Sequence, residues 1–308
     1  MHFFVPLCFA RRSASWRRGF VAKKSFRSLI LPIDQTTKMN PLILSEIWIY
    51  PIKSLGGIPL ETGTVQRKGL QYDRRWMLID QDSVAMTQRA YPDMALFKPR
   101  IRESKLSVRF VKNQREISCA DFSLETPRSD HWISATVWND NVDVLDVDPG
   151  ISEWFTHHLG TTCRLVAFPE DRPRLVNPDY SVNQEQVSLA DAYPFLIIGQ
   201  ASLEDLNKRL DHGVPMNRFR PNFVFTGGKP FDEDHWRDLS IGEIPFAAVK
   251  RSDRCVLTTV NQETAAKGHE PLRTLSRYRK VGNKVYFGQN LVALAEGDVR
   301  VGDPVIPA

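Results

Sequence analysis

Cysteine is scarce and scattered. Four occur in 308 residues, at positions 8, 119, 163 and 255, and no two form a C-x-x-C pair. That spacing argues against a zinc ribbon, a redox dithiol or a bound iron–sulfur cluster, all of which need closely grouped thiolates, and it fits a reducing compartment. Long apolar runs are missing too. None approaches the ~20 residues that cross a bilayer, so no transmembrane span is expected. The sequence holds no glycine-rich P-loop, no G-x-G-x-x-G, no G-x-S-x-G and no H-E-x-x-H, which leaves the common nucleotide, hydrolase and metalloprotease chemistries without their local signatures. The adjacent His157 and His158 project to different faces of either a helix or a strand and make a poor chelate, while His212, His235 and His269 stand alone.

A basic main body is also absent, although the formal net charge is +5. Arg11, Arg12, Arg17, Arg18, Lys23, Lys24, Arg27 and Lys38 face only Asp34 in residues 1–38, so this extension supplies more than the whole excess. The rest is slightly acidic and shows no nucleic-acid footprint. An Arg-rich, acid-poor extension has the composition of an organellar transit peptide. Met39 opens a fresh segment just ahead of the first strand, so translation from an early upstream start reads equally well. The expected location is cytoplasmic, or mitochondrial if residues 1–38 are a genuine transit peptide.

What is present is β-forming. Hydrophobic residues make up 42% and charged residues 25%, an ordinary soluble balance at a length that allows two modest domains. Residues 42–50 read as a strand that Pro51 limits, followed by the polar turn Lys53-Ser54-Leu55-Gly56-Gly57. Further strands are predicted at 75–80, 106–111, 142–147, 163–167, 222–226, 244–250, 256–260, 284–287, 291–295 and 299–306. Helices are predicted at 150–159 and 202–210, the second with Ser202 and Asp205 as a capping pair and Leu203, Leu206 and Leu210 on one face. The fold class is mixed α/β and β-rich, with a closed or nearly closed barrel in the second half. The Pro-rich stretch 169–178 is the expected boundary or mobile loop.

Four segments carry polar groups that a simple core does not need: Lys53-Ser54, Tyr72-Asp73-Arg74-Arg75-Trp76, Asn217-Arg218-Phe219-Arg220-Pro221-Asn222, and Arg254-Cys255-Val256-Leu257-Thr258-Thr259-Val260 with the later Phe287-Gly288-Gln289-Asn290. Guanidinium forks, a lysine and a serine at strand ends suit an anionic, phosphate-bearing ligand. Each segment also has a plain reading: Asp73 with Arg74 or Arg75 as a surface ion pair, Arg220 as a strand cap, Asn217 and Asn222 as turn residues. Cys255 is the sharpest feature. A thiolate attacks electrophiles or binds soft metals, and a neighbouring guanidinium is electrostatically suited to it. A lone cysteine at a strand end is more often a small buried hydrophobe than a ligand.

Taken together and in order, these motifs resemble the MOSC-domain family, in particular members similar to the mitochondrial amidoxime-reducing component, its bacterial relatives and the C-terminal part of molybdenum-cofactor sulfurase. The likeness runs over residues 44–305 and includes Ser202-Leu203-Glu204-Asp205-Leu206-Asn207 and Val301-Gly302-Asp303-Pro304-Val305. It implies a MOSC β-barrel domain at 169–308 and a β-rich N-terminal MOSC domain at 39–168, whose first strand and Lys-Ser turn pack with the barrel. It implies a molybdenum–molybdopterin cofactor ligated by Cys255 and held by Lys53, Ser54, Arg74, Asp191, Tyr193, Arg220, Asn222, Arg254 and Asn290, with no iron–sulfur cluster on this chain. Asn290 stands where the amidoxime-reducing proteins have a tyrosine, and Asp253 replaces a small residue. The implied activity is reduction of hydroxylamines, N-hydroxylated bases or amidoximes, with electrons from a separate haem, ferredoxin or flavin-reductase partner. The alternative is a non-redox MOSC module that carries sulfur or binds the cofactor for another protein.

Overall fold

The structure, a computed structural model, describes residues 41–125 and 131–308. The basic extension and its transit-peptide reading lie outside them. Strand Ile43–Ile49 buries Leu44, Ile47 and Ile49 and pairs antiparallel with Phe223–Thr226 on one side and Ile58–Leu60 on the other. It belongs to the largest sheet, whose order is Val305–Pro307, Asp238–Ile241, Ile244–Asp253, Lys284–Ala293, Phe195–Gly199, Phe223–Thr226, Ile43–Ile49, Ile58–Leu60. The order curls back on itself. Leu44 N–H donates to the Asp303 carbonyl at 2.9 Å, Gly302 N–H to the Leu44 carbonyl at 2.8 Å and Val305 N–H to the Leu42 carbonyl at 2.9 Å, so the chain entering the last strand meets the first. Inside lie Leu44, Ile47, Phe195, Phe223, Phe225, Phe246 and Leu291. Phe195 stacks on Phe223 at 5.6 Å, and Phe246 meets both rings edge-on. Each such buried ring contributes roughly 1.5–3 kcal/mol of transfer free energy.

A second β-rich lobe comes from the stretch between. It holds a four-stranded sheet in the order Trp76–Ile79, Arg164–Ala167, Asp140–Asp146, Trp132–Val137 and a three-stranded one in the order Phe97–Arg102, Lys105–Lys112, Arg115–Ser123. Helix Pro149–Leu159 closes it. Asp148 caps this helix by accepting from Ile151 N–H, and Gly160 ends it at φ 67°, a left-handed turn that glycine enters without a Cβ penalty. Phe155 from the helix packs on Phe97 at 5.2 Å.

Several local readings are corrected. Residues 256–260 are not a strand: Val256–Thr259 is a 3-10 turn. Thr258 Oγ1 donates to the Cys255 carbonyl at 2.9 Å and Thr259 Oγ1 to the Val256 carbonyl at 2.7 Å, a back-bonding that outcompetes the β preference of the branched side chains. The predicted strands 284–287 and 291–295 are one continuous strand, Lys284–Ala293, while 299–306 splits into Gly297–Arg300 and Val305–Pro307. The helix expected at 202–210 runs Gln200–Asn207, and Ser202 does not cap it; its hydroxyl donates to Glu233 instead. Helix Leu272–Tyr278 gave no sequence signal. Stretch 169–178 is tied down: Lys68 Nζ donates to the carbonyls of Pro169 and Glu170, and Arg174 Nη1 to those of Ser188 and Ala190. That anchoring fixes the approach to Asp191.

Candidate functional site

The Lys53-Ser54 turn follows directly from Pro51 ending the first strand. Lys53 N–H donates to the Trp76 carbonyl at 2.7 Å, and Ser54 adopts φ 66°. A non-glycine residue in that region is strained and persists only where the surroundings hold it. The Lys53 ammonium is buried; it donates to the Leu189 carbonyl at 2.9 Å and pairs with the Asp191 carboxylate. Burial lowers the Lys53 pKa, and Asp191 resists the fall. For Asp191, burial opposes ionisation, but the Lys53 ammonium, a hydrogen bond from Trp138 and the Arg89 charge hold its carboxyl below the usual range.

Two more site arginines share the strained conformation, Arg74 at φ 50° and Arg220 at φ 55°. Their guanidinium carbons sit 4.4 and 4.1 Å from the centroid of the Tyr50 ring. Burial pushes the Tyr50 pKa up to about 12 despite these cations, and burial brings Arg220 down to about 10. Asp73 is buried, not a surface charge. It accepts from Tyr50 N–H at 2.7 Å and from Arg74 Nη1 at 2.5 Å, while Arg75 goes to Glu170. Arg220 is more than a strand cap, since Nη1 donates to the Leu55 carbonyl at 2.6 Å and so locks the Lys53-Ser54 turn. Nor is Asn222 a surface turn residue. It is 1% exposed, and its amide bridges Trp48, Leu196 and Arg74.

Arg254 completes the wall. Nη2 donates to the Phe219 carbonyl at 2.6 Å and Nη1 to Ser252 Oγ at 2.9 Å, whereas Nε is buried without a hydrogen-bond partner. Burial lowers the Arg254 pKa, and the nearby Cys255, Asp191 and Asp253 counter it. The Cys255 thiol is exposed at the mouth of the 3-10 turn, not sunk in an apolar interior. Burial raises the Tyr193 pKa, with Tyr180 and Asp253 adding to the effect.

All ten residues singled out from the sequence, Lys53, Ser54, Arg74, Asp191, Tyr193, Arg220, Asn222, Arg254, Cys255 and Asn290, line one cleft of about 530 Å³ between the two lobes. Arg89, Trp138 and Lys250 line it too and carried no sequence motif. A bulky Trp at the two-residue hairpin loop 138–139, where glycine or asparagine is usual, was the available signal for Trp138. Among the described residues no group of three or more His, Cys, Asp or Glu is arranged to hold a metal ion. No described helix is long and apolar enough to cross a membrane.

Residues 42–162 match the MOSC N-terminal beta barrel domain and residues 184–306 the MOSC domain. The chain is 32% identical over 279 residues to mitochondrial amidoxime-reducing component 1 of Mus musculus, covering 85% of this chain and 81% of that protein. To the protein of the same name from Homo sapiens it is 30% identical, with coverages of 95% and 88%. It is 27% identical to a molybdenum cofactor sulfurase of Oryza sativa subsp. japonica, where the match takes in 99% of this chain but only 40% of the relative. With both domains matched in sequence order and the mouse and human relatives aligned over most of their length, the chain belongs to the MOSC-domain family.

Proposed function

We propose that the chain is a molybdenum-cofactor-dependent oxidoreductase that reduces N-hydroxylated compounds: hydroxylamines, N-hydroxylated bases and amidoximes. The observation that carries this reading is the Arg254–Cys255 pair, an exposed thiol next to a guanidinium whose Nε is buried without a partner. A buried donor left open in an otherwise satisfied wall suits an acceptor brought by a ligand. Because the described residues of the cleft offer one thiol and no three-residue ligand cluster, a metal held by them would arrive with most of its own donors, as it does on a dithiolene-bearing pterin.

Lys53, Arg74, Arg220 and Arg254 supply the positive charge that the anionic cofactor and its phosphate need, and Ser54, Asp191, Tyr193, Asn222 and Asn290 complete the lining. When bound, the cofactor supplies a redox-active Lewis acid for cleaving the N–O bond. The overall change consumes two electrons and two protons, turning N–OH into N–H and water. The chain's own part is to neutralise, orient and keep the thiol free. Electrons come from a separate haem, ferredoxin or flavin-reductase protein. The location is cytoplasmic, or mitochondrial if residues 1–38 act as a transit peptide.

Elemental analysis of purified protein, paired with reduction of benzamidoxime or 6-hydroxylaminopurine by a dye-fed assay, tests this. Stoichiometric molybdenum that is undiminished in Cys255→Ala sinks the ligand assignment. The match to a molybdenum cofactor sulfurase supports a second reading, a non-redox module that carries sulfur or binds the cofactor for another protein. A persulfide on Cys255 in intact-mass spectra, with no turnover of N-hydroxylated compounds, would favour it.

A further inference from the structure

We propose that Arg89 and Trp138 form a specificity wall of the cleft, selecting flat, conjugated N-hydroxylated compounds over saturated ones; this rests on the reductase reading above. Arg89 Nη1 lies 3.9 Å from Cys255 Sγ, so a small molecule against the thiol also meets this guanidinium. The guanidinium carbon stands 3.9 Å from the centroid of the Trp138 ring, and the residue is still 53% exposed. One π surface is therefore occupied by the cation while much of the ring is left for a ligand.

Neither residue is placed by accident of a loose loop. Gln88, fully buried, donates from Nε2 to the Ser54 carbonyl at 2.6 Å and exchanges hydrogen bonds with Gln262; Lys267 Nζ donates to the Arg89 carbonyl at 2.8 Å. The turn bearing Arg89 is thereby fastened to both the Lys53-Ser54 turn and the segment after Cys255. Trp138 holds φ 58°, a conformation costly for a bulky side chain, and its side chain lies close enough to Asp191 to help hold that carboxyl below its usual range. Tyr193 and Lys250 also line the cleft, with Lys250 Nζ 4.2 Å from the Tyr180 ring centroid. A planar C=N–OH group conjugated to a ring fits such surfaces: its face stacks on indole and its oxygen accepts from the Arg89 fork. A saturated hydroxylamine offers the oxygen but no face.

The test uses the holoenzyme with benzamidoxime and N-cyclohexylhydroxylamine, measuring binding by calorimetry and steady-state kinetics for both. Trp138→Ala should raise Kd and KM for benzamidoxime about tenfold, the scale of one lost base-stacking contact, and by clearly more than for N-cyclohexylhydroxylamine, so that the ratio of kcat/KM between the two compounds falls. Trp138→Phe should recover most of the loss, which a mere folding defect would not do. Equal losses on both compounds, no loss on either, or no benzamidoxime binding by wild type overturns the wall. Binding that depends on Trp138 without any turnover by wild type upholds the wall and defeats the reductase reading; turnover of both compounds that ignores the substitution does the reverse.

Discussion

Asn222 Nδ2 donates to the Trp48 carbonyl at 3.1 Å, tying the start of one barrel strand to its neighbour directly beneath the cleft. The same side chain's oxygen accepts from Leu196 N–H at 3.3 Å and Arg74 Nη1 at 3.2 Å, so a residue expected to hold ligand also holds three parts of the fold together. Asn222→Ala takes this partner from the Trp48 carbonyl and the buried Leu196 N–H and leaves Arg74 Nη1 with Asp73 alone, and a loss of about 2–4 kcal/mol is expected. Urea unfolding measures it. A change under about 0.5 kcal/mol would mean those partners find water or one another.

Ser54 presents the opposite balance. At φ 66° it carries backbone strain that glycine lacks, while its hydroxyl lies in the cleft lining. Ser54→Gly should therefore stabilise the fold, by about 0.5–1 kcal/mol, yet retain less molybdenum through purification. Thermal unfolding and elemental analysis of the same preparation read both effects. A variant that is less stable and equally loaded contradicts the assignment twice.

Cys255 and Arg254 are adjacent but should fail differently. The thiol is exposed, so Cys255→Ser is expected to move stability by no more than about 0.5 kcal/mol while removing the metal. Arg254→Met exposes the Phe219 carbonyl and Ser252 hydroxyl to loss of their donors, and about 1–3 kcal/mol of stability should go with the cofactor. Denaturant midpoints alongside molybdenum content separate the two. Identical destabilisation would place both residues in the scaffold.

Much of this was legible because the site sits where strands end. Pro51 stopping a β-rich run fixes the Lys53-Ser54 turn, and Pro221 between Arg220 and Asn222 marks another, so local rules locate the site segments even before they are brought together. Their convergence on one cleft came from family resemblance, since no spacing in the chain encodes it. Arg89 and Trp138 escaped for a related reason. Arg89 is placed by Gln88 reaching Ser54 and Gln262, at sequence separations of 34 and 174, which nothing local announces, and Trp138 offered only its unusual place in a two-residue hairpin loop. The 3-10 turn after Cys255 was misread because β-branched residues argue for a strand unless the threonine hydroxyls find carbonyls three residues back, which only the folded backbone reveals.

Glu233 supplies a pH test away from the cleft. Its carboxyl is fully buried, and it accepts from Gly199 N–H at 3.2 Å and Ser202 Oγ at 2.9 Å, fastening the helix Gln200–Asn207 to the strand before it. Burial pushes its pKa up to about 7, with the neighbouring Asp234 adding to the rise and the hydrogen bonds opposing it. A carboxyl with a raised folded-state pKa binds its proton more tightly folded than unfolded. Its stabilising contribution is therefore complete below the unfolded value near 4.3, declines as pH rises, and is gone above about 7. Glu233→Gln removes that dependence while keeping shape and an acceptor. The variant should be more stable than wild type at pH 8, by roughly 1–3 kcal/mol, and the advantage should shrink steadily toward pH 5. Thermal melts across that range decide it: an advantage that grows as pH falls would mean the buried carboxylate is charged in the folded protein, held by Ser202 and the Gly199 amide.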